Sequence, residues 1–292
     1  MTASEKLIAF IRNTFDTALY FAVMAVKENF RNYIRRAGRR RPVARDGHSG
    51  QRPFVVGRPA AIDRAPRIRG EGFHGGQLFA EDDRFEVVRP GYYVLSDPMF
   101  FRDSECRDRV AALYRTLDSK VTWPMTLYVQ FYNPEKFDYR AALPNPRIRI
   151  VRFHTQVYRG FGSVGFWLFR HGLGSANFGT VVQVGEYVAL LLGYRQIELY
   201  GVDHTLLDGL CVDDANRLCR ADRHYYDAGP RAPQPIYMKV PHVPYTMSVY
   251  LAEVAELFRG HEVLRDYAAS LGARIVNRTR GSMIDAYERG AE

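Results

Sequence analysis

The sequence predicts an α/β protein with a doubly wound, mainly parallel sheet, preceded by an N-terminal amphipathic helix. Apolar segments of strand length alternate along the chain with longer helical segments, which is the order typical of a parallel sheet. The chain has 292 residues, of which 47% are hydrophobic and 25% charged. This is sufficient for one domain of about 240 residues with an N-terminal appendage.

The first 36 residues have the pattern of an amphipathic helix. Ser4 and Glu5 suit a helix start, and apolar residues then recur at steps of three and four as far as Ile34. The uninterrupted apolar run, residues 18–26, is much shorter than the roughly 20 residues of a spanning helix. We therefore expect no transmembrane segment. We also expect no cleaved signal peptide, because charged residues precede the run.

A strongly basic segment follows this helix. Residues 29–45 contain seven arginines and no acidic residue, and the whole chain has a formal net charge of +9. Residues 37–52 are predicted to be a basic linker. The combination favours peripheral contact of residues 1–45 with an anionic membrane surface. The alternative is a helix that packs on its own domain or on a second subunit of a homo-oligomer. Nucleic acid is not expected as a partner, because no recognition signature accompanies the charge.

The cysteines indicate a reducing compartment. There are only three, Cys106, Cys211 and Cys219, and they form neither a disulfide framework nor a C-x-x-C pair. We therefore expect a cytoplasmic protein, peripheral at the inner face of the inner membrane if the helix binds lipid, with no metal site and no cofactor.

Residues 53–292 are predicted to form the α/β domain. The predicted strands lie at 54–56, 92–95, 125–132, 147–154, 196–200 and 273–277, and the predicted helices at 104–118, 179–193 and 245–271. Four of these strands end in polar or flexible residues. Since ligands of such sheets bind at the carboxyl ends of the strands, candidate site residues follow them: Gly57, Arg58, Asp97, Gly201, Asp203, His204 and Asn277.

Three further segments are candidates. Asn177, Gly179 and Thr180 precede a helix whose first amides can hold a phosphate, although Thr180 also suits an ordinary helix cap. The glycine-rich stretch 160–179 is a second phosphate candidate, and tight turns explain it equally well. Residues 205–244 are long and irregular, and we interpret them as an active-site lid.

Histidines are the candidates for a general base. An imidazole suits this role because it titrates near neutral pH. His204 follows a predicted strand, and His224 lies in the lid beside Tyr225. Asp203 is a candidate for holding a ribose or acceptor hydroxyl, and a turn aspartate is its structural alternative.

The chain resembles a known group of enzymes. In order, "VVGRPAAI", "YYVLSDPMFF", "VALLLGYRQIELYGVDH", "RHYYD" and "GARIVNRTRGSMIDAYER" resemble bacterial sialyltransferases that use CMP-activated donors. These segments are also similar to the related motility accessory factors and hydroxymethylpterin pyrophosphokinase-like proteins. The resemblance covers about residues 54–288.

The resemblance implies a Rossmann-like, variant GT-A glycosyltransferase domain with metal-independent, inverting catalysis. It implies a histidine base and tyrosines that assist the departing CMP, here His224 or His204 with Tyr225. It places Gly57, Arg58 and Pro59 against the nucleotide. The chain departs from the group at Gly57 and Gly76, which occupy positions where the group has asparagine. It also departs at Ala228, which occupies the position of the group's base histidine, so that His224, His204 or His242 would act in its place.

The function expected from these observations is transfer of a sialic-acid-like sugar from a CMP-linked donor to a glycan or lipid-linked glycan acceptor in bacterial surface polysaccharide synthesis. One alternative is a Mg²⁺- and ATP-dependent pterin pyrophosphokinase-like enzyme. The other is a non-catalytic family member that acts as an assembly partner.

Overall fold

The protein is a mixed α/β structure with mostly parallel strands and an N-terminal helix, which confirms the broad class expected from the sequence. The computed structural model describes residues 2–28, 54–57, 73–75, 78–100, 107–130, 137–154, 156–221, 232–238 and 243–290. The candidate residues Arg58, Pro59, His224 and Tyr225 lie outside these ranges, as do Gly76 and the basic run.

Within these ranges the main sheet has eight strands in the order β11-β10-β6-β1-β2-β3-β4-β5, and every neighbouring pair is parallel. The strands are β1 Phe54–Gly57, β2 Phe73–Gly75, β3 Tyr92–Leu95, β4 Met125–Gln130, β5 Ile148–Phe153, β6 Gln196–Tyr200, β10 Arg274–Asn277 and β11 Glu288–Arg289. From β1 the chain progresses to one edge at β5 and then returns to the other side of β1 as β6. The direction of winding therefore reverses between β1 and β6, where open parallel sheets form a ligand crevice.

The α-helices are α1 Ala3–Val23, α2 Phe85–Val88, α3 Arg107–Lys120, α4 Tyr139–Ala142, α5 Gly162–Arg170, α6 Val181–Leu192 and α7 Met247–Ser270. Helices cover both faces of the sheet. Tyr93 and Leu95 of β3 belong to the same buried cluster as Leu113 of α3, whereas Val94 packs in another cluster with Val184 of α6. Because alternate residues of a strand point to opposite faces, α3 and α6 lie on opposite faces of the sheet.

Helix α6 is the helix that approaches the centre of the sheet. It packs against β1, β3 and α7. Thr180 caps its first turn, and Gly193 ends it with a φ of +93°, a left-handed conformation that glycine adopts without steric cost. The sequence prediction of this helix is confirmed, and so is that of α7.

Two predicted loops contain regular structure. The glycine-rich stretch from residue 160 is not a phosphate-cradling loop in its first half, because residues 162–170 form α5. Its Gly165 packs closely against Tyr158, since a Cβ atom there would lie 3.0 Å from the Tyr158 ring. The predicted lid is not irregular throughout: β7 Leu210–Val212, β8 Leu218–Arg220 and β9 Gln234–Pro235 form a three-stranded antiparallel sheet.

The N-terminal helix is longer than its apolar run suggested. A single continuous helical stretch, Ala3–Val26, has a mean hydropathy of 1.2 over its most apolar part and is long enough to cross a membrane by length and composition. The helix is therefore longer than the nine-residue run, but length and composition alone do not establish a span, and the absence of a transmembrane segment stays a prediction.

Candidate functional site

A cavity of about 380 Å³ lies at the carboxyl ends of β3 and β4. Ser96 and Asp97 line it directly after β3, Gln130 lines it at the end of β4, and residues 175–181 line it from the start of α6. Four predicted site residues, Asp97, Asn177, Gly179 and Thr180, are therefore brought together around one cavity. This is the position that a parallel sheet favours for a ligand.

The start of α6 is held by a buried glutamine. Gln183 Oε1 accepts hydrogen bonds from the amides of Gly179 and Thr180, at 2.7 and 3.2 Å, and Thr180 Oγ1 accepts from the Gln183 amide. Gln183 Nε2 in turn donates to the Leu257 carbonyl of α7, at 2.7 Å. Thr180 is thus an ordinary helix cap, which was the structural interpretation of this residue from the sequence. The amides of Val181 and Val182 are the first-turn amides that this capping box does not bind, and an anion in the cavity is suited to them.

Asp97 and Asn177 make local contacts at the cavity wall. Asp97 Oδ1 accepts a hydrogen bond from the Met99 amide at 3.1 Å, which fixes the turn that follows β3. Asn177 Nδ2 donates to Glu256 Oε2 of α7 at 3.4 Å. Both side chains are half-buried, so part of each faces solvent.

The carboxyl end of β6 forms a sharply turned loop. Gly201 has a φ of +66°, and His204 has a φ of +52°, a left-handed conformation that costs energy for a residue with a side chain. The Val202 amide donates to Thr279 Oγ1, and Asp203 Oδ1 accepts from the His204 amide at 2.8 Å. Asp203 therefore stabilises the turn that directs His204 toward the interior. This is the structural role that a turn aspartate was expected to have.

His204 is the first member of a buried chain of polar side chains. Its Nε2 atom lies 3.0 Å from Nε2 of His261 in α7, and His261 Nδ1 lies 2.9 Å from the Tyr287 hydroxyl. The Tyr287 hydroxyl donates to Glu186 Oε2 of α6 at 2.6 Å. Glu186 and His261 are completely buried, and His204 is 7% exposed. The chain thus connects a carboxylate in the core to the loop at the carboxyl end of β6.

The direction of these hydrogen bonds assigns the protons. Burial, together with the neighbouring Glu186 carboxylate, raises the pKa of Tyr287 well above its usual value. Tyr287 therefore keeps its proton, and its hydroxyl donates a hydrogen bond to Glu186. The Tyr287 oxygen then accepts from His261 Nδ1. A neutral His261 has no proton on Nε2, and this atom accepts from Nε2 of His204. In this arrangement His204 donates from its Nε2 atom to His261.

The charge of Glu186 is a second reason for the hydrogen-bond chain from Glu186 through Tyr287 and His261 to His204. Glu186 Oε1 is buried without a hydrogen-bond partner among the described residues, and it lies 3.6 Å from His261 Nδ1. A buried carboxylate is stable only beside a compensating positive charge or donor. A proton taken up at His204 places a positive charge at the other end of the chain from Glu186. The arrangement is chemically suited to a general base.

The sequence analysis did not identify Glu186, His261 or Tyr287. Signals for two of them existed. Glu186 is the single charged residue in the apolar helix "VVQVGEYVALLL", and His261 lies at helical spacing from the buried residues Leu257 and Leu264. Asn277, in contrast, is the buried last residue of β10, and its Nδ2 donates to Ser282 Oγ at 2.9 Å.

The candidate residues form two groups along the carboxyl edge of the sheet. One surrounds the cavity beyond β3 and β4, and the other follows β6 and includes Gly201, Asp203 and His204. Gly57 lies beside the second group, since it pairs with Tyr200 of β6. β3 and β6 are separated by three strand spacings, which is about 14 Å. In the described ranges, no group of three His, Cys, Asp or Glu side chains is arranged to hold a metal ion.

No protein-family model matches this chain, and neither a curated protein nor a solved structure matches it.

Proposed function

We propose that the protein is a glycosyltransferase with a Rossmann-like domain of the variant GT-A type, in which His204 is the general base. The observation that carries this proposal is the buried chain from Glu186 through Tyr287 and His261 to His204. It ends beside the reversal point of the sheet, where a ligand of such a fold binds.

In the proposed reaction the acceptor hydroxyl attacks the anomeric carbon of a CMP-linked, sialic-acid-like sugar. The acceptor proton passes to the His204 imidazole, a bond forms between the acceptor oxygen and the anomeric carbon, and the bond from that carbon to the phosphate oxygen breaks. CMP leaves with the electron pair of this bond. The single displacement inverts the anomeric centre and uses no metal ion.

The cavity at the start of α6 is the proposed nucleotide site. Its helix amides suit a phosphate, and Asp97 and Asn177 suit hydroxyl groups. The distance of about 14 Å to the β6 group requires an extended ligand, and a nucleotide-linked sugar is extended. Arg58 remains a proposed phosphate contact and Tyr225 a proposed assistant of the leaving group, both from their sequence positions.

Nucleotide binding is the first test. We would measure thermal unfolding of the full chain with CMP, CDP, UDP, GDP and ATP, each with and without Mg²⁺. A ligand at about 100 times its Kd stabilises the folded state by about 2.7 kcal/mol, which raises the Tm by a few degrees. The expected result is a shift with CMP that does not require Mg²⁺. Release of CMP from a CMP-linked sugar in the presence of acceptor then tests the transfer itself.

A matched pair of variants locates the nucleotide. Ser96→Phe introduces a ring at the cavity wall, whereas Ser248→Phe makes the same change at an exposed position of α7. We expect only Ser96→Phe to abolish the CMP shift. A shift with ATP that requires Mg²⁺ would instead favour a pyrophosphokinase-like enzyme. The absence of a shift with all five nucleotides would favour a non-catalytic assembly partner.

A further inference from the structure

Helix α1 exposes a continuous apolar stripe. Six large apolar side chains of the continuous helical stretch Ala3–Val26 are each more than half exposed and recur mostly at steps of three, four or seven residues: Leu7, Ile8, Ile11, Phe15, Leu19 and Val26. Because residues four apart lie above one another on a helix, these side chains share one side. A stripe of this length on a protein surface marks a contact with an apolar partner.

The opposite side of the same helix is fixed to the α/β domain. Thr17 Oγ1 and the Tyr158 hydroxyl are 2.7 Å apart, and the Tyr20 hydroxyl donates to the Leu173 carbonyl at 2.5 Å. Tyr20 and Met24 are buried in the domain core. Gly174 permits this close approach, because a Cβ atom at that position would lie 2.6 Å from the Tyr20 hydroxyl.

This attachment distinguishes between two modes of membrane contact. Helix α1 is long and apolar enough to span a bilayer by length and composition. A spanning helix, however, is surrounded by lipid or by other spanning segments, and α1 has its second half hydrogen-bonded to the domain along one side. The geometry therefore favours a helix that lies in the plane of the membrane, with its stripe in the lipid.

The positive charge of the chain favours an anionic membrane over a second copy of the chain as the partner of the stripe. The seven arginines of residues 29–45 come directly after the helix in the sequence, without a single acidic residue. Anionic lipid headgroups attract such a segment when it lies next to an interfacial helix. A second copy of this chain carries the same basic segment and the same net charge of +9, so it offers no excess of negative charge to balance it.

We infer that α1 is an in-plane anchor that holds the domain on an anionic membrane surface. The segment that α1 contacts, from Tyr158 to Gly174, lies between Val157 and Ser175, which both line the cavity. The anchor thus holds the cavity wall close to the lipid. Under the proposed function, on which this last step rests, the acceptor is a glycan attached to a membrane lipid.

The test is vesicle flotation of the full chain without nucleotide or sugar, so that its result does not depend on the proposed enzyme activity. We would compare vesicles of phosphatidylcholine with vesicles that also contain phosphatidylglycerol. The stripe variant carries Ile11→Gln, Phe15→Gln and Leu19→Gln. Its matched control removes as many exposed apolar side chains elsewhere on the domain, with Val87→Gln, Val212→Gln and Leu251→Gln.

We expect the wild type and the control to float with the anionic vesicles and to be released by high salt. The stripe variant should partition on the order of 100-fold more weakly, since three apolar side chains no longer enter the lipid. Circular dichroism and the Tm confirm that each variant is folded. Equal partitioning of the stripe variant and the wild type would overturn the inference.

Two other results would also overturn it. A wild-type dimer in solution that the stripe variant converts to a monomer, with no vesicle binding, would assign the stripe to a second copy. Resistance of the wild-type protein to alkaline extraction from cell membranes would assign α1 to a spanning helix. Loss of CMP binding with intact flotation would remove only the proposed transferase and its lipid-linked acceptor.

Discussion

His204 and His261 face each other through their Nε2 atoms, 3.0 Å apart, although they lie on a loop and on a helix that are distant in the sequence. Only one of the two atoms carries the bridging proton in the neutral pair. The tautomer of each ring therefore depends on that of the other.

Replacement of His204 by Asn should abolish transfer and leave CMP binding unchanged. Asn tolerates the left-handed backbone of residue 204, but it cannot accept the acceptor proton. Loss of a general base lowers kcat by about 10²- to 10⁴-fold. CMP release and the CMP-induced Tm shift measure the two properties separately.

The control is His171→Asn, which makes the same change in a histidine that stacks on the exposed Trp167 and lies away from the β6 loop. It should transfer at the wild-type rate. Wild-type kcat in His204→Asn would show that His204 is not the base, and His224 would become the candidate.

Replacement of Tyr287 by Phe should destabilise the protein by about 1–3 kcal/mol. The change removes one hydroxyl and leaves Glu186 and His261 buried without the partner that joins them. The free energy of unfolding in urea measures the effect. Tyr245→Phe is the matched control, since its hydroxyl also donates to a glutamate, Glu253, at 2.6 Å, but at the surface. Tyr245→Phe should lower the free energy of unfolding by less than about 1 kcal/mol. An equal loss of stability in Tyr245→Phe and Tyr287→Phe would contradict an intact buried chain of hydrogen bonds.

Replacement of Arg278 by Met should lower stability at neutral pH and have less effect in acid. Burial alone would raise the pKa of Glu198, but hydrogen bonds from Arg278 and then from Tyr200 outweigh it and hold that pKa below its usual value. A carboxylate with a lowered pKa contributes its stability above the pKa of the unfolded chain, and this contribution is lost as the pH falls through the native pKa.

We therefore expect a cost of about 2 kcal/mol at pH 7, which decreases progressively below about pH 4.3 as Glu198 becomes protonated. Urea unfolding across the pH range measures it. Arg265→Met, which breaks a half-exposed pair with Asp266, is the control and should cost less than about 1 kcal/mol at any pH. A cost for Arg278→Met that is independent of pH would show that the side chain acts through packing and not through its charge.

Replacement of Gly260 by Ala should destabilise the protein, although Ala is the better helix former. A Cβ atom at position 260 would lie 2.5 Å from Gln183 Nε2 and 2.9 Å from the Asn177 carbonyl. Overpacking of this kind costs about 1–3 kcal/mol. Gly162→Ala, in α5, is the control, because its Cβ atom would meet no atom within 4 Å.

The control should be neutral, or stabilising by up to about 1 kcal/mol. If Gly260→Ala is as stable as the wild type in thermal unfolding, α6 and α7 are not as close as the structure has them. The CMP shift of Gly260→Ala should also decrease, because Gln183 holds the amides at the cavity.

The parts of the fold that local patterns determine were predictable from the sequence. Strand β3 is an apolar run after Pro90-Gly91, and α6 ends at a glycine whose φ of +93° is the signature of a helix stop. The sequence also placed His204 and Asp203 at the end of β6. These features depend on residues that are neighbours in the chain, so the sequence shows them directly.

The remaining features depend on contacts between distant segments. The residues of α5 were predicted to form a loop because Gly165 lies in a glycine-rich stretch. In the structure this glycine lies within the helix and packs closely against the Tyr158 ring. Strand β2 has three residues and no pattern of its own. The partnership of Glu186, Tyr287 and His261 brings three elements together, and no local spacing encodes it.

The central position of β1 has a consequence for how the chain folds. Val56 pairs with Leu199 of β6, so the middle of the sheet closes only after the segment between them has been synthesised. The half from β2 to β5 is able to form earlier, while β1 still exposes one edge. Late, long-range pairing of this kind slows folding and leaves an open strand edge during that interval. The edge of β1 therefore stays unpaired in the nascent chain until β6 has been synthesised.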